Sequence, residues 1–288
     1  MPNLIDMRRR IRSVRNTQQI TKAMKMVAAA KLRRAQERAF NARPYAGLLK
    51  EVLQSLASRA GAQTHPLLAR RPPERLLALV LSGDKGLCGA FNTNVCRVTE
   101  RFLEEHRDQQ VELVVIGRKI RDYFRRRRAS IAQEYVNIFG RLDFLHAREI
   151  ASVVISAYGE GRTDGVFLIF NEFKSVVSQR VVTEQLLPLA GFPPSAPTGA
   201  LLPPVDYIYE QPPAEIYASL LPKYVEILIY HALLESAAAE HAARMTAMDS
   251  ATNNAGEMID TLTLTLNRIR QAAITKEIIE VVSGASAL

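Results

Sequence analysis

The residues best suited to chemistry form a glycine-rich segment that follows an apolar run. It reads Ser82-Gly83-Asp84-Lys85-Gly86-Leu87-Cys88-Gly89 and stands between a predicted strand and a predicted helix, where a phosphate-binding loop would lie. It lacks the Gly-Lys-Ser/Thr ending of a P-loop and does not fit Gly-x-Gly-x-x-Gly. We therefore interpret it as a structural turn in which Gly83, Gly86 and Gly89 adopt glycine-favoured backbone conformations. Nucleotide binding is the alternative.

The other reactive side chains give weaker signals. Cys88 could be a nucleophile, but no histidine is near it in sequence, which favours a small buried residue. The spacing of Cys88 and Cys96 matches no common metal motif. His231 and His241 are ten residues apart on a predicted helix, which favours an interface. The basic run 125–128 could contact nucleic acid or lipid head groups, or could be a solvated helix end. We predict no catalytic, cofactor or metal site.

Charge is concentrated at the start of the chain. The 288 residues carry a net charge of +9, and residues 1–40 hold eleven basic groups against two acidic ones, so the excess lies in this segment. Such an asymmetry indicates a directed electrostatic partner, with nucleic acid as one candidate. An arginine-rich start also resembles a mitochondrial transit peptide, but the helical pattern continues through it without a break. Apolar residues make up 48%, which excludes disorder, and no apolar run is long enough to span a bilayer.

The first segment, residues 1–60, is predicted to be mainly one long helix. Glycine and proline are absent between Asn3 and Arg43, and helix-forming residues dominate. Pro44 predicts a kink or a restart. A narrow heptad seam follows one face. The seam consists of Leu4, Met7, Ile11, Val14, Gln18, Thr21, Lys25, Ala28, Leu32, Ala35 and Ala39.

The middle segment, residues 76–209, alternates predicted strands and helices. This rhythm is typical of a Rossmann-like α/β domain with a largely parallel sheet and an antiparallel edge hairpin. Proline is concentrated between Pro188 and Pro222, which predicts a non-helical connection. The predicted strands are 76–81, 111–116, 166–173 and 176–187, and the predicted helices are 92–106, 118–128 and 147–158.

The last segment, residues 213–288, is predicted to contain one helix of about 60 residues from Lys223 to Ser283. A small domain cannot bury such a helix, so we expect it to project. The alternating stretch 261–266 alone would suggest a strand, but no turn residues flank it. The seam consists of Tyr224, Ile227, His231, Leu234, Ala238, His241, Met245, Met248, Thr252, Ala255, Ile259, Leu262, Leu266, Ile269 and Ala273.

The two long helices are predicted to pair in antiparallel fashion. One enters the middle domain and the other leaves it, and their net charges are opposite in sign. The fold class is therefore mixed α+β: a long antiparallel coiled coil of N- and C-terminal helices plus a Rossmann-like central domain. Because the second helix is longer, its apolar end should overhang and need enclosure. This tip consists of Ile274, Ile278, Ile279, Val281 and Val282.

Three groups of motifs resemble the gamma subunit family of F-type ATP synthase. The first is Ile20-Thr21-Lys22-Ala23-Met24-Lys25-Met26-Val27-Ala28, and the second is Asp84 to Gly89 followed by Asn92 and Asn94. The third runs from Ala242-Ala243-Arg244-Met245 through Asn267-Arg268-x-Arg270-Gln271-Ala272-x-Ile274-Thr275 to Ser283-Gly284-Ala285. Ala239 departs from the usual serine and Leu266 from a common aromatic residue. No redox-regulatory insert is visible, which implies a bacterial form.

The resemblance implies a non-catalytic rotor shaft that transmits torque between proton flow through a membrane ring of c subunits and the catalytic beta subunits. The implied partners are the alpha and beta subunits, epsilon and the c-ring, with one copy per complex and no nucleic acid. The implied location is peripheral, on the cytoplasmic face of the bacterial plasma membrane. Acidic loops of the catalytic subunits would press on the basic shaft.

The motif match also implies which shaft residues contact the alpha/beta ring. Met24 and Lys25 come from the first helix and four polar residues come from the second, and we expect both groups to lie at a similar height. The four are Arg268, Arg270, Gln271 and Thr275.

Overall fold

The computed structural model describes residues 4–57, 65–189 and 211–285. These residues form five α-helices and five strands, together with short 3-10 turns at Pro66–Leu68 and Ile138–Arg141. The helices are α1 (Leu4–Ala57), α2 (Phe91–Glu105), α3 (Arg118–Arg126), α4 (Phe144–Gly159) and α5 (Pro213–Ala285). The strands are β1 (Arg75–Leu81), β2 (Gln110–Ile116), β3 (Ile131–Tyr135), β4 (Gly165–Phe173) and β5 (Gln179–Leu187).

The chain divides into two compact units. One combines Met1–Ala29 with Arg244–Leu288, and the other is Ala30–Ala243. Each long helix contributes residues to both units. We call the first the shaft unit and the second the foot unit.

The foot unit is built on a five-stranded sheet in the order β3-β2-β1-β4-β5. All neighbouring strands are parallel except β4 and β5, which form an antiparallel pair at one edge. This confirms the predicted Rossmann-like domain with its edge hairpin. The sequence analysis missed β3, an edge strand whose middle side chains are exposed.

Alternation along β1 gives the sheet two apolar faces. Leu76, Ala78 and Val80 pack with α2 and α3, whereas Leu77, Leu79 and Leu81 pack with α4 and with the foot-unit parts of α1 and α5. Successive side chains of a strand point to opposite faces, so one buried strand can supply both cores. The sheet therefore lies between two helical layers.

The expected restart at Pro44 and the fully non-helical connection between Pro188 and Pro222 are wrong, whereas a kink at Pro44 stays a prediction. Pro44 neither ends nor restarts α1, because the helix continues to Ala57. The stretch before residue 223 is not entirely non-helical, because α5 begins at Pro213 and includes Pro222. Pro213 stands at the first helical turn, where the amide hydrogen that proline lacks has no intrahelical partner, whereas Pro44 and Pro222 lie inside helices that continue past them. The remaining predicted connection, 190–210, lies outside the described residues.

An ion pair between the exposed Arg75, the first residue of β1, and the buried Asp164, just before β4, joins the amino ends of the two strands. Asp164 is 5% exposed and accepts hydrogen bonds from the Arg75 backbone N–H at 3.0 Å and from its guanidinium at 3.0 and 3.2 Å. Hydrogen bonds from Arg75 lower the pKa of the Asp164 carboxyl group. The lowered pKa makes this pair a source of stability that depends on pH.

We predict that Asp164→Asn lowers the free energy of unfolding at neutral pH and flattens its dependence on acid. A carboxyl group with a lowered folded-state pKa stabilises the fold above its unfolded pKa of about 4, and this contribution is lost as pH falls through the folded-state value. Urea unfolding of the full chain at pH 7 and in acid measures both effects. A constant difference between parent and variant at every pH would contradict the prediction.

Candidate functional site

The shaft unit contains an antiparallel helix pair with a defined register. Lys25 Nζ lies 2.6 Å from Asp249 Oδ1, and the hydroxyl oxygens of Thr21 and Thr252 are 2.8 Å apart. The Gln18 side-chain amide donates to the carbonyl oxygen of Thr252 at 3.5 Å. The contacting residue on α5 changes from 249 to 252 as the residue on α1 changes from 25 to 21. The pairing is therefore antiparallel, as predicted.

Both predicted seams are correct within the shaft unit. Every seam member from Leu4 to Ala28 and from Met245 to Ala273 is buried or half-buried. The middle of the interface is polar because Gln18, Thr21 and Thr252 meet there. A polar layer in a coiled coil favours one register at a cost in stability. This layer accounts for the polar members Gln18, Thr21 and Thr252 of the two predicted seams.

The predicted apolar tip is exposed. Ile274, Ile278 and Ile279 are 49%, 57% and 59% exposed, and Val281 and Val282 are 72% and 61% exposed. At the observed register, Leu4 lies level with about residue 270 of α5, so these residues extend past the first described residue of α1. A cluster of large apolar side chains at a helix end indicates a surface that another protein covers.

The expected common height of the predicted contact residues is wrong. The register places Met24 and Lys25 beside Asp249. The stretch from Arg268 to Thr275 lies roughly 20 residues further along α5, which is about 30 Å at 1.5 Å per residue. The sequence analysis recognised that early residues of α1 lie near late residues of α5, but it lacked the register. The two groups therefore form two separate levels of the shaft unit.

The two levels also differ in their environment. Met24 and Lys25 are half-buried, and the Lys25 ammonium is engaged by Asp249. Arg268, Arg270, Gln271 and Thr275 are exposed, and the Thr275 hydroxyl donates to the Gln271 carbonyl at 2.9 Å. The group from Arg268 to Thr275, nearer the end of α5, thus presents its charges to the outside of the helix pair.

The glycine-rich segment lies at the carboxyl end of β1 and is bonded to its neighbours. Asp84 Oδ1 accepts the backbone N–H groups of Arg118 at 3.0 Å and Asn137 at 2.8 Å. Ser82 Oγ accepts the N–H of Ile120 at 3.0 Å. These contacts use the first turn of α3 to anchor the loop. A phosphate-binding loop would instead direct its own backbone N–H groups toward a ligand.

The three predicted turn glycines differ in how strongly the structure requires a glycine. Gly89 has φ +55°, as predicted. Gly83 is restricted by space, since an added Cβ would lie 2.9 Å from Glu240 Oε1. Gly86 meets neither condition, because its φ is not positive and an added Cβ would be 3.8 Å from the nearest atom. The expectation of special backbone conformations at Gly83 and Gly86 is therefore wrong.

Helix α5 covers the crevice where α/β proteins of this topology bind ligands. Such crevices form at the carboxyl ends of strands whose neighbours continue in opposite directions, here β1 and β4. The side chain of Ala239 is fully buried there against Cys88 and Phe91. Glu240 lies over Gly83. A mononucleotide at this position would clash with α5, which argues against the nucleotide-binding alternative.

Two side chains of α5 accept hydrogen bonds from the backbone of β4, and the sequence analysis missed both. Glu235 Oε2 accepts the backbone N–H of Phe173 at 2.9 Å, and Ser236 Oγ accepts that of Asn171 at 3.3 Å. Glu235 Oε1 also lies 3.5 Å from His231 Nε2 of the preceding turn of α5. The interface role of His231 and His241 stays a prediction. The signal in the sequence was a Glu-Ser pair inside a run of alanine and leucine.

The two cysteines are buried, and the acidic side chains of the described ranges form no metal-binding group. Cys88 and Cys96 are buried and unoxidised. Burial raises the pKa of Cys96 to about 11, so its nucleophilic thiolate is scarce at neutral pH. Among residues 4–57, 65–189 and 211–285, no group of three or more His, Cys, Asp or Glu side chains could hold a metal ion. No helix in the same ranges has the length and hydropathy of a membrane span.

Comparison with known proteins gives a consistent result. The family model described as ATP synthase matches residues 3–288. A protein named ATP synthase gamma chain from Solibacter usitatus is 56% identical over 291 residues, covering 100% of this chain and 99% of the relative. One of the same name from Pelotomaculum thermopropionicum is 51% identical over 290 residues, covering 100% of both.

Solved structures agree with the sequence relatives. A chain from the central stalk and c-ring of Tetrahymena thermophila mitochondrial ATP synthase is 29% identical, with a TM-score of 0.62 over 81% of this chain and 99% of that one. A rotor chain from Euglena gracilis mitochondrial ATP synthase is 18% identical, with a TM-score of 0.65 over 94% and 98%. The second likeness supports the fold alone.

Proposed function

The chain belongs to the ATP synthase gamma-chain family, and from this we propose how its two units divide the work of a central rotor. The chain is a non-catalytic subunit of the synthase. The shaft unit turns inside the ring of alpha and beta subunits, and the foot unit binds epsilon and the c-ring. One copy in each complex transmits torque between proton flow and ATP synthesis.

The exposed apolar tip is the observation that carries this proposal. The side chains at the end of α5 are 49–72% exposed, although large apolar groups are normally covered in a finished assembly. A sleeve formed by the alpha/beta ring would enclose them without specific bonds. A bearing of this kind lets the shaft turn because no single angle is strongly preferred.

The basic surface of the shaft unit fits the same role. Arg8, Arg9, Arg10, Arg12 and Arg15 are all exposed on α1. Exposed ion pairs with acidic loops of the ring would contribute only about 0.2 to 1 kcal/mol each. Such weak contacts can break and re-form during each turn. We assign Met24 and Lys25 to one level of ring contact and Arg268, Arg270, Gln271 and Thr275 to another.

As part of this complex, the chain is peripheral to the membrane. We further propose that it lies on the cytoplasmic face of a bacterial plasma membrane. The family match to bacterial gamma chains supports this location.

Single-molecule rotation tests the proposed function. The chain would be assembled with its alpha and beta subunits, and a bead attached through Asp108→Cys, an exposed position in the foot unit. We expect ATP-driven rotation in one direction by the assembly and no ATP hydrolysis by the isolated chain. Turnover by the isolated chain, or an active complex whose bead never rotates, would contradict the proposal.

A further inference from the structure

The contact between α5 and the end of β4 includes two hydrogen bonds that reach the sheet backbone. Glu235 is 3% exposed and Ser236 is fully buried, and they accept the N–H groups of Phe173 and Asn171. Main-chain atoms of a central strand move less than surface side chains, which change rotamer freely. These bonds therefore join the long helix to the most rigid part of the foot unit.

The position of the two N–H groups explains why α5 supplies the acceptors. The ladder between β1 and β4 ends at the pair Val80–Ile169, so the following residues of β4 extend past β1. Asn171 and Phe173 are two residues apart on the strand, and their N–H groups point toward the same edge. Side chains of α5 thus replace the missing end of the neighbouring strand.

A buried carboxylate is an energetically unfavourable group with which to hold a helix against a sheet. Burying a carboxylate destabilises the fold unless hydrogen bonds compensate for the lost hydration, and an apolar side chain of similar size often packs as well or better. The alanines that follow, Ala237 to Ala239, are small and offer little resistance to rotation of the helix about its axis. Hydrogen bonds are directional, unlike apolar contacts. The bonds from Glu235 and Ser236 therefore fix the rotation of α5 about its axis and its position along that axis relative to the sheet.

We propose that Glu235 and Ser236 form a clamp that transmits torque between the foot unit and α5. They act as positioning residues: they bind no ligand but keep the helix from turning relative to the sheet when the foot is driven. This inference rests on the proposed rotor function. It assigns the coupling to two named hydrogen bonds rather than to apolar packing.

The test uses the complete synthase in vesicles with the double variant Glu235→Leu and Ser236→Ala. ATP hydrolysis should persist, while protons pumped per ATP should fall by about twofold or more. A bead on the foot unit of the stalled complex should also show a wider angular distribution, because the clamp no longer resists twisting. Ser236→Ala alone removes one bond with little change in volume and should give a smaller widening.

Two controls separate the clamp from general stability. Glu235→Gln keeps an acceptor oxygen and the same shape, so its pumping and angular width should match the parent. Asp164→Asn weakens an equally buried carboxylate at the amino end of β4, where it binds Arg75 and not α5. It should reduce stability without widening the distribution.

Three outcomes would overturn the proposal. The first is that both the double variant and Ser236→Ala keep the pumping and the angular width of the parent. The second is that Asp164→Asn widens the angular distribution as much as the double variant does, and the third is that Glu235→Gln pumps less well than the parent. A parent complex that does not rotate would instead refute the rotor function itself. Failure of the clamp leaves parent rotation intact, so the two failures are distinguishable.

Discussion

Gly117→Ala should destabilise the foot unit more than any other alanine substitution at a described glycine. Gly117 has φ +105°, a conformation that residues with a side chain rarely adopt, and an added Cβ would lie 2.2 Å from the carbonyl oxygen of Ser82. Backbone strain of this kind costs about 1 to 3 kcal/mol, and the clash with main-chain atoms adds to it. We expect the free energy of unfolding to fall by about 3 kcal/mol or more.

Urea unfolding of the full chain measures this effect, with Gly86→Ala as the matched control. Gly86 lies in the loop that α3 anchors, but an added Cβ there would meet only the end of the Lys119 side chain at 3.8 Å. The control should change stability by no more than about 0.5 kcal/mol. Equal losses in both variants would show that the loop as a whole, and not the close approach of Gly117 to Ser82, determines stability.

The elements that sequence alone predicted are those with strong local patterns. β1 is a continuous apolar run after Arg75, and β2 is apolar after Gln110 except at Glu112; the observed bounds of both strands agree with the predicted ones within one residue. Both coiled-coil seams were found because heptad spacing depends only on the helix period. β3 was missed because Ile131–Tyr135 contains three exposed polar or small side chains and has no such pattern.

What sequence could not supply was the contacts between distant parts of the chain. Glu235 and Phe173 are 62 residues apart, and nothing near either residue indicates that they bond. Gly117 was not singled out because its restriction comes from Ser82, just past the end of the neighbouring strand β1. These features depend on how the elements pack, which short-range patterns do not encode.

The register of the shaft unit shows the same limit. Antiparallel pairing followed from connectivity, but the offset between the helices depends on which side chains meet. The polar layer of Gln18, Thr21 and Thr252, together with the bond between Lys25 and Asp249, fixes that offset. A heptad seam alone would pack almost equally well after a shift of seven residues.

Of the two proposed ring-contact residues on α1, Met24 and Lys25, we expect Met24 to be the more sensitive to an added charge. It is half-buried, while Ile20 and Val27, which lie on the same side of α1 at helical spacing, are 59% and 57% exposed. The neighbouring Lys25 is already paired with Asp249 at 2.6 Å. A second cation at position 24 would find this carboxylate occupied, and would be available to an acidic group outside the chain.

Met24→Lys should therefore leave ATP hydrolysis active while making proton pumping inefficient and more dependent on temperature. An added ion pair with the ring in one rotary state deepens that state by up to about 1 kcal/mol, and escape from it slows about fivefold. Because torque is then lost at one angle, protons pumped per ATP should fall. Vesicles containing the assembled synthase measure hydrolysis and pumping across a temperature series.

Salt and a neutral variant distinguish an ion pair from a packing defect. Exposed charges are screened within about 10 Å at 0.1 M salt, so raising the ionic strength should return Met24→Lys toward parent coupling. Met24→Leu keeps an apolar side chain of similar volume and should behave like the parent at every salt concentration. Either of two results would contradict the ion-pair explanation: uncoupling by Met24→Leu, or no effect of salt on Met24→Lys. Residue 24 would then affect coupling through packing, and weak charge contacts with the ring would not account for its effect.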